Sequence, residues 1–447
     1  MCDMWYNNLR NKDDIMKRHT LSQLKNWKNT KGHKPLIVQG ARQVGKTWLM
    51  QEFGKTQYKQ VAYVNFDEPK NCEIFDEDYD ISRIIMLIEI ATDIKIDSNN
   101  TLIILDEIQE CPRALTSLKY FNENAPQYDI VAAGSLLGVA CHEGTGFPVG
   151  KVSFLNLYPL SFEEFLTAMS EDRFVELLQK KDYKTIKHFN NKYENLLKQY
   201  CYIGGMPAVV KNYTENKDFK IVRELQKEIL VSYENDFTKH IPTNTVAKIR
   251  LLWKSIPAQL SKENKKFIYG AAKEGGRARD FETALSWLID SGLVYRINKI
   301  KKPDLPIIAY EDFSAFKLFI LDVGLLGAMT NLDVKTLLEE SRIFEEFKGA
   351  IAEQYVLQQL KTIEDLPIFY WSNETSRAEI DFIIQLGSNV VPLEVKAAKN
   401  LQAKSLKSYM EKYNPKIAIR TSLADYKQTD NLYDIPLYVI ENMENIV

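Results

Sequence analysis

The octet Gly40-Ala41-Arg42-Gln43-Val44-Gly45-Lys46-Thr47 fits the pattern G-x-x-x-x-G-K-[ST]. Glycines let the backbone curl so that successive N–H groups face phosphate oxygens, and a helix starting behind them adds its positive end. The lysine reaches β- and γ-phosphates and the hydroxyl offers a hard oxygen to Mg²⁺. The pattern therefore predicts a nucleotide site spanning Gly40, Ala41, Arg42, Gln43, Val44, Gly45, Lys46, Thr47 and Trp48, with ATP as ligand, Lys46 acting catalytically and Thr47 on the metal. A glycine turn between a strand and a helix would look similar in isolation. Here apolar Leu36-Ile37-Val38 precedes the octet and the helical run Trp48-Leu49-Met50 follows it, which is the context a phosphate loop needs.

A second set of residues supplies the carboxylates such a site requires. Thr101-Leu102-Ile103-Ile104-Leu105 is an apolar strand ending in Asp106-Glu107. Asp106 is expected beside the Mg²⁺ and Glu107 is expected to orient or deprotonate the attacking water. The next apolar run, Ile130-Val131-Ala132-Ala133, ends in Gly134-Ser135. The Ser135 hydroxyl could contact the γ-phosphate or the attacking water, or could instead cap a helix.

A third constellation lies near the C-terminus. Glu353 sits on an expected helix, Asp381 on an expected strand, and Glu394-Val395-Lys396 ends the strand after it. Glu-x-Lys triplets also begin at Glu68, Glu215, Glu263 and Glu346, so the triplet alone says little. The order helix glutamate, strand aspartate, strand Glu-x-Lys resembles the PD-(D/E)xK nuclease superfamily, although Ile380 stands where the superfamily's name has proline. The resemblance implies Asp381 and Glu394 as ligands of Mg²⁺ or Mn²⁺, Glu353 supporting them, and Lys396 assisting the nucleophile; hard oxygen donors suit such ions.

These residues need an α/β framework. Four buried strand-like runs (Leu36-Val38, Val61-Val64, Leu102-Leu105, Ile130-Ala133), separated by helix-length segments, predict a parallel sheet in residues 1–165. Residues 166–235 read as a helical lid or connector, with Phe174, Leu177, Leu178, Leu196 and Leu197 on amphipathic faces. Residues 236–335 give helices up to Gly292, then strand-like runs at Leu293–Ile300 and Ile307–Tyr310, the order of a winged helix. Arg277 and Arg279 open its expected recognition helix, Phe281–Ser291, and Arg296, Lys299, Lys301 and Lys302 lie on its ribbon. Residues 336–447 read as a small α/β domain, with a helix near 344–360, strands at 380–384 and 391–395, a helix at 402–413 and a strand at 416–420.

Composition is that of an ordinary globular chain: 447 residues, 45% hydrophobic and 26% charged. A formal charge of -2 excludes a wholly basic nucleic-acid binder, so any DNA contact must use local patches. Five scattered cysteines (Cys2, Cys72, Cys111, Cys141, Cys201) and five histidines (His19, His33, His142, His188, His240) show no disulfide or metal spacing. No membrane span or signal peptide is legible, which makes the cytoplasm the expected location.

The motifs GARQVGKT, TLIILDE, AAGSLL, YPLSFEEF and YIGGMP together resemble the AAA-type ATPases that carry a DUF4143 tail, and the run from Phe316 to Leu325 resembles that family's tail signature. The resemblance covers nearly the whole chain. Where that family often has arginine after a glycine, this sequence has Gly150-Lys151, and lysine lacks the planar fork of an arginine finger. The leading expectation is an ATP hydrolase coupled to a DNA-binding, DNA-cleaving tail, in an oligomer if its sites lie at subunit interfaces. One alternative is an ATP-driven switch with a non-catalytic nuclease-like recognition domain. Another is a small-molecule kinase, which would need no water-activating Glu107.

Overall fold

The computed structural model describes residues 16–76, 78–135, 146–238, 243–262, 265–338, 345–373, 378–399 and 403–446. Cys2, Cys141, His142 and His240 lie outside them, as do residues 344 and 402, where two helices were expected to begin. Cys72, Cys111 and Cys201 are free thiols. Among the described residues, no helix is long and apolar enough to cross a membrane.

The chain divides into two compact units: Lys17–Tyr158 with Asp290–Leu293, and Pro159–Ile289 with Val294–Val447. The first is built on a wholly parallel sheet of β1 (Leu36–Gln39), β2 (Gln60–Asn65), β3 (Thr101–Asp106), β4 (Asp129–Gly134) and β5 (Ser153–Asn156), ordered β2-β3-β4-β1-β5. All six residues of β3 are buried, as a central strand covered on both faces requires. The helix Pro112–Asn124 opens on proline, whose missing N–H costs nothing there, and lays Ala114, Leu115, Leu118 and Phe121 on the core. β5 was not expected; its residues alternate between half-buried and exposed at the sheet edge and form no apolar run.

The second unit begins with helices, including Phe162–Ala168, Asn190–Ile203, Phe219–Asp236, Thr243–Leu260 and Ala278–Asp290. Its sheet has eight strands in the order β12-β13-β11-β10-β9-β8-β6-β7. These are β6 (Val294–Ile300), β7 (Glu311–Ile320), β8 (Ile368–Ser372), β9 (Glu379–Leu386), β10 (Asn389–Val395), β11 (Ala418–Ser422), β12 (Lys427–Thr429) and β13 (Leu432–Pro436). The ribbon β6–β7 joins the tail strands through the parallel pairing of Lys299 with Tyr370, so one sheet runs through the position, 335, where a domain boundary was expected. Ile307–Tyr310 is a helical turn and not a strand: Pro306 precedes it, only Ile307 is buried, and β6 pairs instead with Glu311–Ile320.

Three sequence signatures in this unit have a structural cause. In YPLSFEEF, Ser161 and Glu164 form a capping box: the Ser161 hydroxyl accepts from the Glu164 N–H at 3.2 Å and the Glu164 carboxylate accepts from the Ser161 N–H at 3.0 Å. In YIGGMP, the Gly205 N–H donates to Asp322 Oδ2 at 2.6 Å and its carbonyl accepts from the Leu160 N–H at 2.7 Å. Gly204, at φ +76, lies so close to Asp322 that a Cβ would collide with its carboxylate at 2.1 Å. Asp322, from the tail signature, also caps the helix Val323–Met329 by accepting from the Leu325 N–H at 3.0 Å.

Candidate functional site

In a parallel sheet every strand points the same way, so β1, β3 and β4 deliver their C-terminal ends to one edge. β1 runs into the loop Gly40–Gly45, β3 into Asp106-Glu107, and β4 into buried Ser135. β4 lies between the other two, which brings residues that are 59 positions apart within bonding distance: Thr47 Oγ1 donates to Asp106 Oδ2 at 2.7 Å.

The loop needs its glycines. Gly40 (φ +153) packs so tightly on the Leu157 carbonyl that a Cβ would stand 2.3 Å from that oxygen, and Gly45 (φ +96) caps the helix Lys46–Gln57 in a left-handed conformation. The Lys46 ammonium donates to the carbonyls of Gly40 and Ala41, each at 2.9 Å. Burial pushes the Lys46 pKa down to about 8, against the pull of Glu107 and Asp106. Glu107 sits at φ 51, and its Oε2 accepts from Gln109 Nε2 at 2.7 Å. Arg42 and Trp48 are half-buried and Gln43 is exposed.

Two supporting residues escaped the sequence reading. Tyr63, on β2 beside β3, donates its hydroxyl to Asp106 Oδ2 at 2.9 Å. Arg18, buried ahead of the first helix, donates to the carbonyl of Val44 at 3.0 Å and to that of Tyr158. Neither belongs to the motif. The only signal for Tyr63 was a polar-tipped aromatic in a strand next to the carboxylate strand.

In the second unit the C-terminal residues also converge. Glu353 comes from the helix Glu345–Leu360, Glu379 and Asp381 from β9, Glu394 from β10, and Lys396 follows it. Lys396 Nζ pairs with Glu394 Oε1 at 2.8 Å, and Asp381 Oδ2 accepts from the Val395 N–H at 2.8 Å. Two further lysines join them. Lys317 on β7, with no exposed side-chain surface, lies 2.5 Å from Glu379 Oε1 and 3.8 Å from Glu353 Oε2, and Lys265 pairs with Glu353 Oε1. Burial would lower the pKa of Lys317, but Glu379, Glu353 and Asp381 outweigh it and hold the ammonium charged. Burial, reinforced by the carboxylates of Glu353 and Glu394, raises Asp381 well above the usual carboxylate range, which favours its neutral acid.

Residues 32–166 match the family AAA_14, an AAA domain; residues 348–440 match DUF4143; and residues 194–336 match DUF8612, both of the latter domains of unknown function. The chain is an AAA-type P-loop ATPase with a DUF4143 tail. Among solved structures, a Walker-type ATPase of Pyrococcus abyssi is similar, at 14% identity over 72% of this chain and 97% of that one, with a TM-score of 0.45. The Orc1 protein of Aeropyrum pernix, solved in complex with DNA, is 11% identical over 72% and 95%, with a TM-score of 0.28. Overlaps this loose carry no argument about function. No curated protein matches the chain.

At the family's basic position, Lys151 of this AAA-type ATPase pairs with Glu123 at 2.9 Å. In the P-loop unit the donor set fits magnesium: a hydroxyl and a carboxylate, both hard oxygens, already bonded to each other. The DUF4143 tail fits a divalent ion less well. Glu353, Asp381 and Glu394 share one cluster, in which each carboxylate raises the pKa of a neighbour or has its own raised by one. Ammonium groups pair with Glu353, Glu379 and Glu394, although Glu353 Oε2 and Glu394 Oε2 are buried without a hydrogen-bond donor. The signal for Lys317 was legible in hindsight: a lysine inside Phe316-Lys317-Leu318-Phe319-Ile320, a run buried throughout, has to meet a counter-charge.

Proposed function

We propose that this chain is a Mg²⁺-dependent ATP hydrolase whose nucleotide state governs a DNA-binding tail. The observation that carries the reading is the convergence of Lys46, Thr47, Asp106 and Glu107 at one edge of the parallel sheet, with Thr47 bonded to Asp106. The amides around Gly45 and the Lys46 ammonium would grip the triphosphate, Lys46 exchanging the carbonyls of Gly40 and Ala41 for phosphate oxygens. Thr47 and Asp106 would hold Mg²⁺, which neutralises charge on the β- and γ-phosphates when bound. Glu107, released from Gln109, would take the proton of the attacking water, and Ser135 would orient that water or the γ-phosphate.

DNA binding is supported by the order of elements in the second unit. Helices Thr243–Leu260, Tyr269–Ala272 and Ala278–Asp290 are followed by the ribbon β6–β7, as in a winged helix. Arg277 and Arg279 are exposed at the start of the last helix, and Lys301 and Lys302 are exposed on the ribbon's turn. Recognition without cutting is the reading favoured for the tail, because ammonium groups already answer its carboxylates. The test is ATP turnover with and without duplex DNA in the wild type, Lys46→Ala and Glu107→Gln. Turnover lost in both variants supports the reading, and unaltered turnover in both removes it.

A further inference from the structure

The cluster in the DUF4143 tail holds four carboxylates and three ammonium groups, drawn from both ends of the second unit. Lys265 and Lys317 come from before residue 320; Glu353, Glu379, Asp381, Glu394 and Lys396 come from after it. A nuclease-like centre that worked with a divalent ion would leave its acidic oxygens facing a common point. Here a cationic side chain of the protein itself stands among those acids. Lys317 is fully buried, lies 2.5 Å from Glu379 and 3.8 Å from Glu353, and stacks its ammonium 4.9 Å from the centre of the Tyr370 ring. A buried ammonium is tolerated only where opposite charge surrounds it. Lys317 is paired with Ile297 of β6 in the regular stretch Val294–Asn298 of the ladder, before the register shift at Lys299, so turning it outward would mean slipping that stretch.

We propose that Lys317 is the resident cation of this cluster: the tail carries an internal ammonium in place of a divalent ion, and a metal site exists there only once Lys317 is removed. The remaining charges agree with this. Lys265 answers Glu353, Lys396 answers Glu394, and Asp381 is tied to the backbone N–H of Val395. A divalent ion arriving at Glu353 would have to displace Lys317 into an apolar interior. Glu353 Oε2 and Glu394 Oε2, which lack donors, are the oxygens that such an ion would take if the ammonium were absent.

The experiment is a Mn²⁺ titration of the full-length chain by electron paramagnetic resonance, with the P-loop silenced by Thr47→Ala and Asp106→Asn. With Lys317 intact, no Mn²⁺ uptake is expected. In the same background, Lys317→Met should gain one Mn²⁺ per chain and lose it again when Asp381→Asn is added. Stoichiometric uptake in the Lys317-intact chain that disappears with Asp381→Asn overturns the proposal. So does a well-folded Lys317→Met chain that takes up none. Should Lys317→Met fail to fold, the pair Lys317→Met with Glu379→Gln removes both partners of the 2.5 Å contact and is held to the same two outcomes. Thermal melting of the Lys317-intact protein gives an independent reading: EDTA and Mn²⁺ should leave its midpoint the same, and an Asp381-dependent rise with Mn²⁺ refutes the idea.

Discussion

Thr47 Oγ1 and Asp106 Oδ2 stand 2.7 Å apart, although one belongs to the helix after β1 and the other ends β3. The two strands are not neighbours; β4 runs between them. The bond therefore reports that the sheet order, and not only the motif, has brought this hydroxyl and carboxylate together. Asp106→Asn keeps the shape but gives up the charge. It should lower kcat for ATP hydrolysis at least about 100-fold, the scale of losing an electrostatic contact to a phosphoryl transition state, which steady-state phosphate release would measure.

Glu107→Gln separates chemistry from binding. If Glu107 takes the proton of the attacking water, as proposed, turnover should fall about 100-fold or more while ATP affinity stays within a few-fold of wild type. Calorimetry with Mg²⁺-ATP alongside turnover decides it. Equal loss of affinity and rate would make Glu107 a binding residue instead.

Tyr63→Phe removes a single donor from Asp106 Oδ2. The expected effect is small, about 1 kcal/mol or less than about tenfold in kcat/KM, with Thr47 keeping its own bond. A larger loss would mean that Tyr63 aims the carboxylate.

Lys46 gives the nucleotide site a pH dependence. Its ammonium is the form that would bind phosphate, and burial pushes its pKa down to about 8. Below that value the charge is already present; above it the free protein is neutral at Lys46 and must take up a proton to grip ATP. Affinity should thus be steady below about pH 8 and weaken as pH rises through it. Calorimetry at pH 9 in buffers of different ionisation enthalpy should show net proton uptake on ATP binding, and none with Lys46→Ala.

The ribbon makes a prediction about salt. If Lys301 and Lys302 meet phosphates, replacing both by alanine should weaken DNA binding for every sequence alike and make the log–log salt dependence shallower by about 2. Anisotropy titrations at several salt concentrations would show it. An unchanged slope would move the DNA contact elsewhere, with Arg277 and Arg279 next to be tested.

The nucleotide site was legible in the sequence because its chemistry is written contiguously: a strand, eight residues, a helix, and later a strand ending in two acids. Four of the five strands of the parallel sheet, β1 to β4, fall where apolar runs stand. β5 is not legible because Ser153-Phe154-Leu155-Asn156 carries no long apolar run, and Ile307–Tyr310 reads as a strand because its apolar letters do not show that only Ile307 is buried. The tail carboxylates were also found, by order along the chain. Lys265 and Lys317 were not, since their place beside Glu353 depends on β7, β6 and β8 lying in one sheet, which no local spacing encodes.

That shared sheet has a practical consequence for anyone dissecting the molecule. A fragment starting at residue 336 would keep Glu353, Glu379, Asp381 and Glu394 but discard the lysines that balance two of them, and it would strip β8 of its neighbour β6. Such a piece would present a bare strand edge beside uncompensated acid, a recipe for self-association. Cloning boundaries taken from the DUF4143 match alone, residues 348–440, would divide a single architectural unit.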